Sequence, residues 1–140
     1  MIIHGADVAM RWRWPHFSPD ELRCRCACNA VVVDTDLLDT LEDLRRELQR
    51  PMPISSGYRC ASRNVLVSGT GPNGPHTTGS AVDVSVYAVV AWDLLSLAIA
   101  HPRVTGIGVS QKGPMAGRFL HIDVLPATGR QHPRPRVWSY

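Results

Sequence analysis

Residues 118–124 alternate apolar and polar side chains with the period of two that a β-strand imposes. One face of this predicted strand carries His121 and Asp123. The opposite face is wholly aliphatic: Leu120, Ile122 and Val124. A chain with such a strand must build a sheet with one buried face, and it presents an imidazole beside a carboxylate on the other face.

A second predicted strand, residues 81–86, has the same design, with valines on one face and Asp83 on the other. His76 lies in the loop that leads into it. If the two strands are neighbours, His76, Asp83 and His121 converge. Two imidazoles and one carboxylate suit Zn²⁺ with a fourth position left for water, which is typical of a catalytic site. The alternative is a local hydrogen-bonded pair of His121 and Asp123 without a metal.

The other elements predict an α+β fold. Residues 34–50 place leucines on one helical face, with acidic residues early and arginines late. Residues 88–100 predict a mostly buried helix with Trp92 in the core, and residues 104–109 predict another strand. We expect a small antiparallel sheet with helices packed on one face and the zinc cleft on the other.

Composition limits the classes of protein to consider. With 140 residues, of which 44% are hydrophobic and 19% charged, the chain fits one domain over residues 1–140, with residues 1–17 as an N-terminal arm. Its arginines are scattered, which argues against nucleic-acid binding. No apolar run approaches the ~20 residues that span a bilayer, and the first residues lack the pattern of a signal peptide. We expect a monomer that is neither a membrane protein nor a Sec-exported precursor.

Several short motifs occur in a fixed order: Ser56-Gly57-Tyr58-Arg59, Asn64, His76-x2-Gly79-x-Ala81-x-Asp83, Gly106-x-Gly108 and Phe119-x-His121-x-Asp123. Together they resemble the zinc D-Ala-D-Ala carboxypeptidases and peptidoglycan endopeptidases (peptidase family M15), which share a metal site with hedgehog-type domains. The likeness is greatest to the small single-domain branch of bacteriophages and bacteria. In that branch a Phe-Ser-x-x-Glu-Leu start, as at residues 17–22, a Cys-x-Cys-x-Cys cluster and a Trp-containing ending also recur.

The resemblance implies His76, Asp83 and His121 as ligands of Zn²⁺. It implies Arg59 as the side chain that grips a carboxylate or carbonyl of the peptidoglycan stem peptide, a role that suits the planar guanidinium fork. The family usually has Ser where this chain has Gly74.

The general base is the open question of the resemblance. Many members carry a Glu three residues before the last ligand, and this chain has Arg118 there. Asp123 is then the remaining candidate base, and the alternative is that it orients a ligand histidine. His132 in the tail either reaches the site as an acid or is solvated. Trp138 either lines a sugar-binding groove or anchors the chain end.

The only thiols are those of Cys24, Cys26, Cys28 and Cys60. Three interpretations compete: a structural zinc held by all four, a disulfide from the cluster to Cys60, and free buried thiols. The spacing differs from the usual paired knuckles of structural zinc sites. We expect a structural role close to the loop that carries Arg59.

The function that the resemblance implies is zinc-dependent hydrolysis of peptide bonds in the peptidoglycan stem peptide or cross-link, as a carboxypeptidase or endopeptidase such as a phage endolysin. The alternative is a non-catalytic, zinc-containing module that binds the wall or builds a virion. An enzyme of this kind would wait in the cytoplasm for a holin or be carried in a virion. The partners expected are stem peptides, with no nucleic acid and no membrane.

Overall fold

The computed structural model describes residues 1–128 and 131–140. Within them the strands are β1 (Ile2–His4), β2 (Val32–Asp34), β3 (Ile54–Ser56), β4 (Ala81–Val84), β5 (Gly106–Ser110), β6 (Phe119–Asp123) and β7 (Arg136–Ser139). The α-helices are α1 (Ala6–Arg11), α2 (Pro19–Leu22), α3 (Thr35–Leu48), α4 (Ala61–Val67) and α5 (Ala88–Ala100). Short 3-10 helices span Gly71–Asn73, Pro75–Thr78 and Met115–Gly117.

The main sheet has the strand order β3-β4-β6-β5-β7. Its first four strands pair antiparallel, as predicted, and β7 adds to the edge in parallel with β5. A separate ribbon pairs β1 with β2. The strands predicted at residues 81–86 and 118–124 are therefore direct neighbours, β4 and β6, which is the condition under which His76, Asp83 and His121 can converge.

The hydrophobic core lies between the main sheet and the two long helices, α3 and α5. Alternation in β4 and β6 turns Val82, Val84, Leu120 and Ile122 into this core, where each is at most 1% exposed. The leucine face of α3 packs onto them, as its 3.6-residue periodicity predicts. The long helices cover one face of the sheet, so the opposite face is left for the polar residues.

Helix α5 has the predicted bounds but not the predicted burial. Only Ala91, Leu94 and Ala98 are buried along it. Trp92, predicted to be core, is 72% exposed. The prediction was wrong because a helix that is apolar on all sides gives no periodic signal of which side faces the protein.

The first seventeen residues, expected to form an arm, contain regular structure. Strand β1 pairs with β2, and α1 follows it. Ile3, Val8, Trp14 and Phe17 are buried in the hydrophobic core. The sequence shows no periodicity here because elements of three and six residues are too short to repeat a pattern.

None of the helices in the described residues combines the length and the hydrophobicity needed to cross a membrane.

Candidate metal centre

One row of residues crosses the main sheet on the face opposite the core. The cross-strand register aligns them from edge to edge: Ser56, Asp83, His121, Gly108 and Trp138. His76 reaches the same place from the 3-10 helix Pro75–Thr78, which leads into β4. The row forms because alternation sends every second side chain to this face, and the register then aligns those side chains.

His76, Asp83 and His121 meet in one compact group. His76 Nε2 lies 3.2 Å from Asp83 Oδ1, and His121 Nδ1 lies 3.1 Å from the same oxygen. The two imidazole nitrogens are 3.2 Å apart. All three residues are buried. The structure therefore brings together the three residues that the sequence singled out, in an arrangement that could hold one metal ion.

In each imidazole, the ring nitrogen that faces away from the group is hydrogen-bonded to the protein. His76 Nδ1 donates to the backbone carbonyl of Gly57 at 2.7 Å, and His121 Nε2 donates to Asp123 Oδ2 at 2.9 Å. With the outer nitrogens held in this way, His76 Nε2 and His121 Nδ1 face the group, and each can offer a lone pair to a metal ion once it carries no proton. Two such nitrogens and a carboxylate oxygen are a donor set that suits Zn²⁺.

Burial and charge set the protonation of the group. Burial disfavours the charged form of Asp83, but the neighbouring imidazoles of His121 and His76 outweigh it and hold the pKa of Asp83 well below its usual range. Burial lowers the pKa of His76. At pH 7 His76 is thus uncharged and Asp83 is ionised, as metal ligands must be. Burial also opposes a charge on His121, but hydrogen bonds to Asp123 and Asp83 outweigh it and raise that pKa.

Asp123 is held from two sides. Arg134 donates to both of its oxygens, through Nε at 2.9 Å and through Nη2 at 2.5 Å. Burial disfavours the charged carboxylate, but the bonds from Arg134 and His121 outweigh it and lower its pKa to about 2. Asp123 is fully buried and is not among the residues that line the cavity beside the metal group. Its position is that of a carboxylate that orients His121, the alternative to a general base.

The Gly106-x-Gly108 motif makes room for this arrangement. A Cβ atom at Gly106 would overlap the carboxylate of Asp123, and one at Gly108 would lie 2.7 Å from the indole of Trp138. With glycine there, the Trp138 ring lies across β5 and approaches the His121 ring, with centroids 4.9 Å apart. Trp138 therefore packs beside the metal group.

Arg59 lies beside the metal group and grips one of its members. Its Nη2 donates to Asp83 Oδ2 at 2.9 Å, and its Nε donates to Ser56 Oγ at 2.9 Å. The guanidinium thus fixes the second oxygen of the carboxylate whose first oxygen faces the histidines. The sequence predicted a grip on substrate and missed this contact with the protein's own carboxylate.

A cavity of about 560 Å³ opens onto the metal group. Besides that group, its described lining includes Arg59, Phe119, His132, Arg134, Arg136, Trp138 and Tyr140. Sequence reasoning assigned no role to Arg134, Arg136 or Tyr140. The signal that could have found them is their recurrence at every second position from 134 to 140, but β7 covers only Arg136–Ser139 of that stretch, in a tail rich in Pro and Arg.

No carboxylate stands at the position where the resemblance leads one to expect the general base, because residue 118 is an arginine. Arg118 donates through Nε to the carbonyl of Gly113 and does not line the cavity. Among the described residues that do line it, Asp83 carries the only side-chain carboxylate. His76 lies within the metal group although Gly74, and not the Ser that the resemblance leads one to expect, stands two residues before it.

Comparison with known proteins agrees with the geometry. The family described as Peptidase M15 matches residues 15–123, well over half of the chain. Neither a curated protein nor a solved structure gives a significant match. The matched region contains the metal group and Arg59, whereas Arg134, Trp138 and Tyr140 lie beyond it. The chain therefore belongs to the peptidase M15 family and is a metallopeptidase by that membership.

Proposed function

We propose that the protein is a zinc-dependent hydrolase of peptide bonds in the peptidoglycan stem peptide or cross-link. The observation that carries the proposal is the His76, Asp83 and His121 group, which opens onto a cavity within the region matched by the M15 family. The volume of the cavity, about 560 Å³, is in the range of small-molecule and peptide sites.

The charge of the cavity supports an acidic peptide substrate. Three arginines line it, against the single side-chain carboxylate of Asp83: Arg59, Arg134 and Arg136. Arg59 and Arg134 are engaged with Asp83 and Asp123. Arg136 is exposed, and its guanidinium carbon lies 5.7 Å from the centre of the Trp138 ring. We assign Arg136, together with Arg59, to the carboxylates of the stem peptide.

Each residue of the group then has a defined task. A Zn²⁺ held by His76, Asp83 and His121 would supply a coordinated water whose pKa is lowered toward ~7 and a Lewis acid for the scissile carbonyl. Asp123 keeps His121 in the tautomer that offers Nδ1, and Arg59 keeps one oxygen of Asp83 directed at the histidines. Proton transfer then falls to His132 and Tyr140, the imidazole and the phenol that the described lining offers besides the metal group.

One observation favours a second function. The described lining holds no side-chain carboxylate, besides the ligand Asp83, that could replace the Glu absent at Arg118. A chain that kept its metal but lost its base would serve as a zinc-containing module that binds the wall or builds a virion. Against this stands Arg136, since a purely structural descendant needs no exposed guanidinium beside the metal group.

The deciding experiment is incubation of the zinc-loaded protein with defined muropeptides, read by mass spectrometry. The panel contains monomers with tetrapeptide and pentapeptide stems and a cross-linked dimer. We expect cleavage that a chelator abolishes and added Zn²⁺ restores. His121→Ala should be inactive, and Arg118→Ala, which lies outside the cavity, should cleave normally.

The products also identify the bond. Loss of one terminal alanine assigns a carboxypeptidase, and conversion of the dimer to monomers assigns an endopeptidase. Cleavage that persists in His121→Ala contradicts the proposal. If the zinc-loaded protein cleaves nothing yet sediments with insoluble peptidoglycan, the binding module is the better assignment.

The lytic role follows from the resemblance to small single-domain members of bacteriophages and bacteria. We extend the proposal to an endolysin or a virion-carried lysin. Added to cell walls from outside, such an enzyme should lower their turbidity, and His121→Ala should leave the turbidity unchanged.

A further inference from the structure

Four sulfur atoms converge on the side of the sheet that carries Arg59. All four sulfur atoms lie within 4.8 Å of one another. Three come from the turn after α2 and the fourth from the residue before α4, and we call this set the cysteine cluster: Cys24, Cys26, Cys28 and Cys60. Cys26 Sγ is central, at 3.5 Å from Cys24 Sγ, 3.1 Å from Cys28 Sγ and 3.6 Å from Cys60 Sγ.

We propose that the cysteine cluster is a second metal site, in which four thiolates bind one Zn²⁺ and leave no position for water or substrate. In a tetrahedral site with Zn–S bonds of about 2.3 Å, neighbouring sulfurs are about 3.8 Å apart. The distances from Cys26 to Cys24 and to Cys60 lie close to that value, and the distance to Cys28 is shorter. A disulfide needs two sulfurs at about 2 Å, and nothing in a disulfide would gather the other two. Four soft thiolates in a closed set are typical of structural zinc.

The backbone around the cysteine cluster is arranged to receive negative charge. The amide of Cys60 donates to Cys24 Sγ at 3.4 Å, that of Cys28 to Cys26 Sγ at 3.4 Å, and that of Arg63 to Cys60 Sγ at 3.5 Å. Amide donors of this kind strengthen when the acceptor is a thiolate. When Zn²⁺ binds, the four thiol protons leave to solvent, and the amides share the remaining charge of the site.

The cysteine cluster ties two distant segments together next to Arg59. Cys60 directly follows Arg59, and the amide of Tyr58 donates to the carbonyl of Leu22 at 2.9 Å. A bound Zn²⁺ would therefore clamp the turn at residues 24–28 onto the loop that orients Asp83 through Arg59. The two metal sites share no ligand, so each can be emptied without removing a donor from the other.

Metal content tests the inference without any measurement of activity. We expect two Zn²⁺ per chain in the full-length protein, purified without chelator and measured by elemental analysis. Cys26→Ser and His121→Ala should each retain one, and the double variant should retain none. His4→Ala, which changes a histidine outside both groups, should keep two.

Cobalt distinguishes which site remains. Replacement of Zn²⁺ by Co²⁺ should give thiolate-to-metal charge-transfer absorption in the wild type and in His121→Ala. Cys26→Ser should lose most of that absorption. A protein whose single metal disappears in His121→Ala and persists in Cys26→Ser overturns the inference, whether or not the protein proves to be a peptidase.

Thiol titration of the wild type decides the matter even if Cys26→Ser fails to fold. After denaturation with chelator and without reductant, four reactive thiols and two released Zn²⁺ are expected. Two thiols that appear only after reduction would establish a disulfide and overturn the inference. One iron in place of the second zinc would overturn the assignment of the metal.

Discussion

The carboxylate of Asp123 bonds to His121 on one side and to Arg134 on the other, and no part of the residue is exposed. Both of its oxygens accept hydrogen bonds, and the residue does not line the cavity, so it is not placed to take a proton from a substrate there. We propose that it contributes through the orientation and basicity of His121, as is usual for a carboxylate behind a ligand histidine. Arg134 in turn keeps Asp123 ionised.

This assignment predicts the behaviour of Asp123→Asn, which removes the charge and keeps one acceptor beside His121. Zinc affinity should fall by about 10- to 100-fold, the usual effect of losing such a partner. At saturating zinc, kcat should fall by far less than the roughly 10²- to 10⁴-fold that the loss of a general base costs.

Competition with a chelator gives the affinity, and hydrolysis of the muropeptide found to be cleaved gives kcat. Arg118→Ala serves as the control, because Arg118 does not line the cavity. Unchanged zinc affinity combined with a 100-fold or greater loss of kcat would restore Asp123 as the general base.

Strand β7 completes the wall of the cavity because β5 carries glycine where the two strands meet. Gly108 pairs with Trp138 in the register, and the indole occupies the space that a side chain at Gly108 would fill. The two residues therefore form one packing unit, although they are 30 positions apart in the sequence.

Gly108→Ala tests this packing unit. The added Cβ would lie 2.7 Å from the indole of Trp138, so we expect a loss of about 1–3 kcal/mol in the free energy of unfolding, as for other overpacked sites. Most of this loss should vanish in a Trp138→Ala background, where the clash is absent. Denaturant unfolding of the two single variants and the double variant gives the coupling energy.

Gly117→Ala is the matched control, because a Cβ there meets nothing within 4 Å. It should change stability by less than about 0.5 kcal/mol. Additive effects of Gly108→Ala and Trp138→Ala would show that the indole does not occupy the space over Gly108.

Helix α5 shows that its apolar composition does not decide its burial. Trp92 is 72% exposed, whereas Leu94, two residues along, is fully buried. Residues two apart lie on different sides of a helix, so one can face the core while the other faces water.

Trp92→Gln should therefore change the free energy of unfolding by less than about 0.5 kcal/mol, as is usual for exposed positions. Leu94→Ala, which leaves a cavity in the core, should cost about 2–5 kcal/mol. Urea unfolding of both variants makes the comparison. A loss of 2 kcal/mol or more in Trp92→Gln would mean that this face of α5 is covered in solution.

Both ends of the chain belong to the structure, although the family match leaves them out. The match begins at residue 15 and ends at residue 123. Ahead of it, Ile3, Val8 and Trp14 fill part of the core. Beyond it, Arg134 and Trp138 pack around Asp123 and His121. The fold of this protein thus depends on segments outside the region that identifies its family.

The contribution of the first segment can be measured with two adjacent isoleucines. Ile3 is 1% exposed and Ile2 is 45% exposed. Ile3→Ala should lower the free energy of unfolding by about 2–5 kcal/mol, and Ile2→Ala should cost far less, because its side chain remains largely in water. Equal effects in thermal or denaturant unfolding would show that residues 1–17 form an arm without a place in the core.

The elements that follow a local rule were predictable from the sequence. Residues 34–50 predicted α3, observed at Thr35–Leu48, because acidic and basic ends and a leucine face are properties of the helix itself. The resemblance to the M15 family added the assignment of His76, Asp83 and His121, in that order along the chain, as metal ligands. The burial of α5 and the structure in residues 1–17 were not predictable, because apolar composition and very short elements carry no periodic signal.

The sequence by itself determined which side of β4 and β6 carries Asp83 and His121, because alternation along a strand is a local property of the backbone. Only the tertiary structure decided what surrounds them. It placed Arg134 on Asp123 from 11 residues away, and brought Cys26 to Cys60 across 34. Such contacts depend on how distant segments pack, and no pattern within one segment records the identity of its partner.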